Sequence, residues 1–216
     1  MLKLNFSDRG PSARKILCLG AHADDIEIGC GGTVLRWLQE HDDLEFYWVV
    51  LSSNPKRKKE ALKGASAFLQ GARKKTVLVE TFRDGFFPYV GGAIKEYFEA
   101  LKKRVSPDLV LTHYCNDLHQ DHRVVSDLAW NTFRQQLILE YEIPKYDGDL
   151  GQPNLFIPLS EAECRKKVQN ILGVYQTQAQ KHWFTEDTFR SLLRLRGIEC
   201  GAGRYAEAFY CRKMIL

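Results

Sequence analysis

The stretch KILCLGAHADDIEIGCGGTVLRWLQ, residues 15–39, changes character halfway along. Lys15 to Gly20 is an apolar run ending in glycine and reads as a strand. From Cys30 to Gln39, Val34, Leu35 and Leu38 recur at helical spacing, which predicts a helix. Between the two, His22, Asp24 and Asp25 fall within four positions, and Gly29, Gly31 and Gly32 follow. A strand that delivers polar side chains into a turn before a helix is the opening unit of an α/β sheet. The carboxyl ends of such strands are where these sheets carry their sites.

The same rhythm continues outward. Leu44–Leu51 (LEFYWVVL) is β-branched and aromatic and reads as a strand buried on both faces. Lys56–Leu69 carries Ala61, Leu62, Ala65, Phe68 and Leu69 as an apolar stripe under a charged surface, so it reads as a helix closed by Gly71. Thr76–Phe82 is the third strand, Ile94–Val105 a helix, and SPDLVLTH (106–113) a turn into the fourth strand. His122–Leu139 reads as one long helix. Repeated βα units predict an α/β, Rossmann-like, doubly wound and mainly parallel sheet with helices on both faces. Residues 1–216 form a single domain in this reading. After about residue 140, Pro144, Gly148, Gly151, Pro153 and Pro158 break the pattern, and 143–158 is expected to form loops over a site. Ser160 with Glu163 is a capping-box pattern opening a helix to Gln178. EAFYCRKMIL is expected to be the last strand.

Composition narrows the class. The formal net charge of +4 is too small to point to nucleic acid, and none is expected as a partner. The six cysteines (18, 30, 115, 164, 200, 211) contain no CxxC pair and read as reduced thiols. MLKLNFSDRG has no apolar signal core, and no run approaches the ~20 apolar residues of a membrane span. A cytoplasmic protein is expected.

The chemistry lies in two clusters. His22 and Asp25, three apart in a strand-to-helix turn, can both reach one metal ion. Asp24, their neighbour, projects to the other side and can act on the attacking water as a base. The second cluster is HYCNDLHQDH (113–122). Asp117 and Gln120 resemble a helix N-cap pair. His119 and His122 fall at i, i+3 on one helix face, one to ligate and the other to face a substrate carbonyl. Asp121 is placed either to orient an imidazole or simply to favour the helix N-terminus. His113 ends a strand, with packing and function equally open. His41, beside Asp42 and Asp43, reads as a solvated residue at a helix end, and His182, beside Trp183, as structural. GCGGTV does not match GxGxxG and no GK[ST] occurs, so a nucleotide-phosphate loop is a poor fit. Gly31 and Gly32 instead allow close packing of the helix.

Taken together, the motifs resemble those of the PIG-L/LmbE family of zinc-dependent N-deacetylases. AHADDIEIGCGG (21–32) resembles its AHPDD-x-E-x-x-x-GG pattern and HQDH (119–122) its HPDH signature. RKKEALKGASAFLQG (57–71), FRDG (82–85), KKVQNILGVYQTQ (166–178) and RYAEAF (204–209) resemble further family segments, so the likeness runs over nearly the whole chain. It implies His22, Asp25 and His122 as metal ligands, Asp24 as general base and His119 as the group polarising the carbonyl. It implies Arg57 and Asp84 as contacts to sugar hydroxyls, Zn2+ as the cofactor with Fe2+ as an alternative, and a small amino-sugar substrate. A homo-oligomer is left open. Ala23 and Gln120 stand where the family has proline, and neither change removes a ligand. The expected reaction is hydrolysis of an N-acetyl group from an amino sugar or its conjugate. The rivals are a zinc amidase of another N-acyl substrate, such as a thiol conjugate or antibiotic intermediate, and a non-catalytic α/β binding module. Phe86, Phe87 and Tyr89 are expected either to stack on a sugar or to anchor a loop.

Overall fold

A computed structural model describes residues 14–215. The N-terminal segment discussed above and the final leucine lie outside the described residues. Seven strands form one sheet: β1 (Arg14–Gly20), β2 (Leu44–Val50), β3 (Lys74–Val79), β4 (Leu109–His113), β5 (Leu137–Tyr141), β6 (Leu155–Leu159) and β7 (Tyr205–Tyr210), in the order β3-β2-β1-β4-β5-β7-β6. The first five are parallel, and β7 runs antiparallel to both of its neighbours. The helices are α1 (Asp25–Glu40), α2 (Pro55–Phe68), α3 (Gly91–Arg104), α4 (Gln120–Thr132), α5 (Glu161–Val174) and α6 (Glu186–Cys200). None of them is long and apolar enough to cross a membrane.

Alternation along the strands divides the core between two faces. Ile16 and Cys18 of β1 join one cluster with Val34, Phe68, Val168 and Phe189, from α1, α2, α5 and α6. Leu17 and Leu19 join the other with Ile94, Phe98, Val125 and Ala129, from α3 and α4. Helices therefore cover both faces of a mainly parallel sheet. β1 has β2 on one side and β4 on the other: the chain winds outward from β1 to β3 and then crosses back to place β4 on the opposite side. The crevice beyond the carboxyl ends of β1 and β4 is the topological switch point of the sheet.

The local signals explain most boundaries. Asn54 caps α2 by accepting from the amides of Lys56 and Arg57, both at 3.0 Å, with Pro55 at the first helical position. Ser160 and Glu163 exchange both bonds of the capping box of α5. Gly201, at φ +64°, ends α6 in the left-handed region.

Four expectations need correction. α1 begins at Asp25 and not at Cys30, so the motif is itself the first turn of the helix. Residues 122–139 are not one helix. α4 stops at Thr132, and LILEY forms the interior strand β5, because an apolar run this short fits a buried strand as well as a helix. α5 ends at Val174, with a 3-10 turn over Gln176–Gln178. The region past 140 contributes two strands and two helices, where one of each was expected.

Candidate active site

β1 ends at Gly20 and delivers residues 21–25 to the switch point. β4 ends at His113, one strand away, and is followed by the loop to α4. The fold thus brings together two clusters almost a hundred residues apart. His22 Nδ1, Asp25 Oδ2 and His122 Nε2 form a triangle with sides of 3.2, 3.3 and 3.5 Å. Zinc bound tetrahedrally at 2.0–2.1 Å would separate its ligand atoms by roughly 3.3 Å. The donor set of two imidazoles and one carboxylate, and its spacing, both fit a divalent ion.

Each candidate ligand is held from behind. Asp121 is fully buried and accepts from the amides of Gly85 at 2.7 Å and Phe87 at 3.1 Å, and its Oδ2 lies 3.2 Å from His22 Nε2. Asp117 Oδ2 lies 2.9 Å from His122 Nδ1 and also receives Lys145 Nζ at 2.9 Å. These are carboxylate–imidazole pairs of the kind that set the orientation of a metal ligand. Asp121 was expected in that role. Asp117 was read as a cap, and its other oxygen does accept the His119 amide at 2.8 Å, but the N-cap of α4 is His119 itself. Lys145 gave no signal in the sequence, because a lone lysine in a loop is usually solvated. His113 is fully buried. Its Nε2 accepts the Ala21 amide at 3.0 Å and lies 3.2 Å from Asp25 Oδ2, which places it in the wall of the site.

Asp24 and Asp25 point apart, as expected, but helix geometry is the cause. Asp24 is the N-cap and Asp25 the first helical residue. Asp25 turns back to accept the His22 amide at 2.6 Å, whereas Asp24 Oδ1 pairs with Arg57. Their electrostatics differ accordingly. Burial pushes the Asp24 carboxyl up, with Arg57 opposing it, and the result is a raised pKa. Burial also works on Asp25, but His122, His22 and His113 hold it well below the usual carboxylate range. Burial and the neighbouring imidazole of His113 lower His122 to about 3, so it is neutral and able to ligate. Burial and His22 lower His119 as well. His119 Nδ1 accepts the Asp121 amide at 3.2 Å, which leaves Nε2 to carry the proton of the neutral ring.

The clusters open into a pocket of about 580 Å³, lined by His22, Asp24, Arg57, Asp84 and His119 together with Ser52, Asn54, Lys145, Gln178 and Trp183. All seven sequence-predicted site residues, including Asp25 and His122, line it. Arg57 is less free than expected for a substrate contact: besides Asp24 it meets Glu60 at 3.0 Å and Thr177 at 3.1 Å. Asp84 lies 3.1 Å from His22 Nε2, with its side chain largely exposed. The aromatic cluster divides. Phe87 is fully buried behind His22, while Phe86 lies under the Arg83 guanidinium and Tyr89 is exposed.

Comparison with known proteins fits this arrangement. Solved structures share the fold, among them the three that follow. The conserved protein TT1542 from Thermus thermophilus is 22% identical, with a TM-score of 0.74 over 93% of this chain and 95% of its own. The N,N'-diacetylchitobiose deacetylase from Pyrococcus horikoshii is 22% identical, with a TM-score of 0.65 over 91% and 83%. GalB, the 4-carboxy-2-hydroxymuconate hydratase from Pseudomonas putida, is 17% identical, with a TM-score of 0.70 over 94% and 98%. A deacetylase and a hydratase on one scaffold show that the fold alone does not name the reaction. The family model "PIG-L: GlcNAc-PI de-N-acetylase" matches residues 17–133, more than half of the chain and both clusters of the site. The chain belongs to the PIG-L family.

Proposed function

We propose that this protein is a divalent-metal-dependent hydrolase that removes an N-acetyl group from an amino sugar or amino-sugar conjugate, releasing acetate. The observation that carries the reading is the triangle of His22 Nδ1, Asp25 Oδ2 and His122 Nε2, with an independently held carboxylate, Asp24, beside it. His22, Asp25 and His122 would hold the ion, zinc or ferrous iron. A bound ion there supplies Lewis acidity toward the amide oxygen and the attacking water.

The chain's own residues supply the rest. Arg57 fixes Asp24 through Oδ1, leaving Oδ2 available to the proton of water. Burial raises its pKa, which brings it closer to the working range of a general base than an exposed aspartate. Asp24 accepts the proton as the water oxygen bonds to the acyl carbon. It returns the proton to the nitrogen as the C–N bond breaks. His119 Nε2–H is the donor for the negative charge that develops on the acyl oxygen. Asp84 and Arg57, on the pocket wall, are assigned to the sugar hydroxyls, with Arg57 doing so while paired to Asp24. We place the protein in a reducing, cytoplasmic setting, since all six cysteines are free thiols.

The test couples metal analysis to an acetate-release assay over N-acetylhexosamines, their glycosides and nucleotide esters, and non-sugar N-acyl conjugates. The reading expects acetate from at least one amino sugar, lost on chelation and restored by zinc or ferrous iron. Release only from non-sugar amides would move the assignment to a different amidase. No release from any amide, with no metal bound, would leave a binding module.

A further inference from the structure

α1 carries Asp24 and Asp25 at its start, and a buried ion pair from the far end of the chain grips it. Lys167 of α5 and Glu207 of β7 are each 3% exposed, and Nζ of the lysine meets Glu207 Oε1 at 2.5 Å. Both side chains also bond to the backbone of α1. Lys167 Nζ donates to the Ile28 carbonyl at 2.6 Å, while Glu207 accepts the Gly32 amide at 2.8 Å through Oε1 and the Thr33 amide at 2.6 Å through Oε2. Ile28 C=O and Gly32 N–H are the two ends of one i to i+4 link of the helix. The ion pair therefore spans that link within the second turn. Glycine at position 32 permits the approach: a Cβ there would lie 3.0 Å from Glu207 Oε1 and 2.4 Å from Leu159 Cδ1.

Ile28 relays the grip to the site. Its carbonyl holds Lys167, its amide donates to the Asp24 carbonyl at 3.0 Å, and the residue lines the pocket. Replacing a buried ion pair by apolar side chains is often neutral or stabilising, so stability alone is a poor reason for this one, and fixing a register is its better-attested use. We infer that Lys167 and Glu207 are positioning residues, which lock the first turns of α1 against α5 and β7 and so set where Asp24 and Asp25 stand relative to His22 and His122. Both lie beyond residues 17–133, so the C-terminal part of the chain is the clamp on the site-bearing helix. The effect expected on metal affinity rests on the metal site proposed above.

The experiment compares Lys167→Met, Glu207→Gln, the double variant Lys167→Met/Glu207→Met and the milder Gly32→Ala with the wild type. It reads thermal midpoint, amide hydrogen exchange across residues 25–40 and zinc affinity by competition with a chelating dye. The single variants break the pair and are expected to lose thermal stability. The double variant is expected to regain the midpoint and yet exchange the amides of residues 25–29 at least tenfold faster, with zinc affinity at least tenfold weaker. Gly32→Ala is expected to change in the same direction while staying folded. A double variant that regains the midpoint with wild-type exchange and wild-type zinc affinity overturns the proposal and leaves the pair a plain packing element. So does a folded Gly32→Ala protein with both readouts unchanged. A wild type that binds no zinc refutes the metal site instead, and the exchange data then decide the clamp by themselves.

Discussion

Asp121→Asn changes one atom in a fully buried residue, and its effect can be worked out from three bonds. Oδ2 accepts from Gly85 N at 2.7 Å and stands 3.2 Å from His22 Nε2, while Oδ1 accepts from Phe87 N at 3.1 Å. Burial pushes this carboxyl up, but His22 and the two amides hold it below the usual carboxylate range, so it is charged. An asparagine has one acceptor oxygen. If that oxygen keeps Gly85 and His22, its NH2 faces the Phe87 amide, donor against donor. If it keeps Phe87, the NH2 meets Gly85 N–H and removes the buried one of the two carboxylates at His22 Nε2, leaving only the largely exposed Asp84. Either way at least one charge-assisted bond is lost and a buried donor is stranded, which costs about 2–4 kcal/mol of stability. Loosening the orientation of His22 should also weaken metal binding by roughly 10–100-fold. Urea denaturation of the metal-free variant and zinc competition titration measure the two effects separately. A denaturation midpoint and a zinc affinity both equal to wild type would mean that Asp121 neither satisfies the loop nor orients the imidazole.

Three further perturbations follow from the geometry. Arg57→Met removes the cation that opposes the upward shift of Asp24, so the Asp24 pKa rises further and the base stays protonated to higher pH. The acid limb of the kcat/KM profile should therefore move to higher pH, and an unmoved limb would show that Asp24 is not the group titrating there. Asp117→Ala strips His122 Nδ1 and Lys145 of their shared partner and should weaken zinc binding by about 10–100-fold, an effect that isothermal titration would miss only if His122 were not a ligand. Gly29→Ala places a Cβ 2.1 Å from the ring of Tyr141, which is fully buried with its hydroxyl bonded to the Leu19 carbonyl. Overpacking there should cost about 1–3 kcal/mol in chemical denaturation, and a variant as stable as wild type would mean that α1 can shift off the sheet freely.

The candidate site was more readable in the sequence than the fold around it. His22, Asp24 and Asp25 sit in one turn, and an α/β pattern with a polar turn after its first strand names the place where that turn must lie. HQDH follows another strand, so adjacency of β1 and β4 was enough to join the clusters. The supports behind the ligands were harder to see. Asp117 looks like a cap because an aspartate before a helix usually is one, and only the folded chain shows its second oxygen on His122. The glycines of GCGG were legible as packing residues but their partners were not: Gly31 faces Phe68 of α2, and Gly32 faces Leu159 and Glu207. In the fold, LILEY was absorbed into the preceding helix because no glycine or proline separates them and its apolar residues fit either period. Pro158 hid β6, since proline argues against an interior strand, but β6 is the edge of the sheet, where a missing donor is tolerated.

In the proposed mechanism His22, Asp25 and His122 hold a catalytic metal while Asp24 handles the proton. The most direct measurement takes wild type and Asp24→Asn through metal analysis and acetate release on the same preparations. Both proteins are expected to bind about one divalent ion per chain, with turnover of the variant lower by about 10²–10⁴-fold, the usual range for loss of a general base. An Asp24→Asn enzyme that releases acetate at the wild-type rate, or a wild type that deacetylates with no metal bound, would contradict the mechanism.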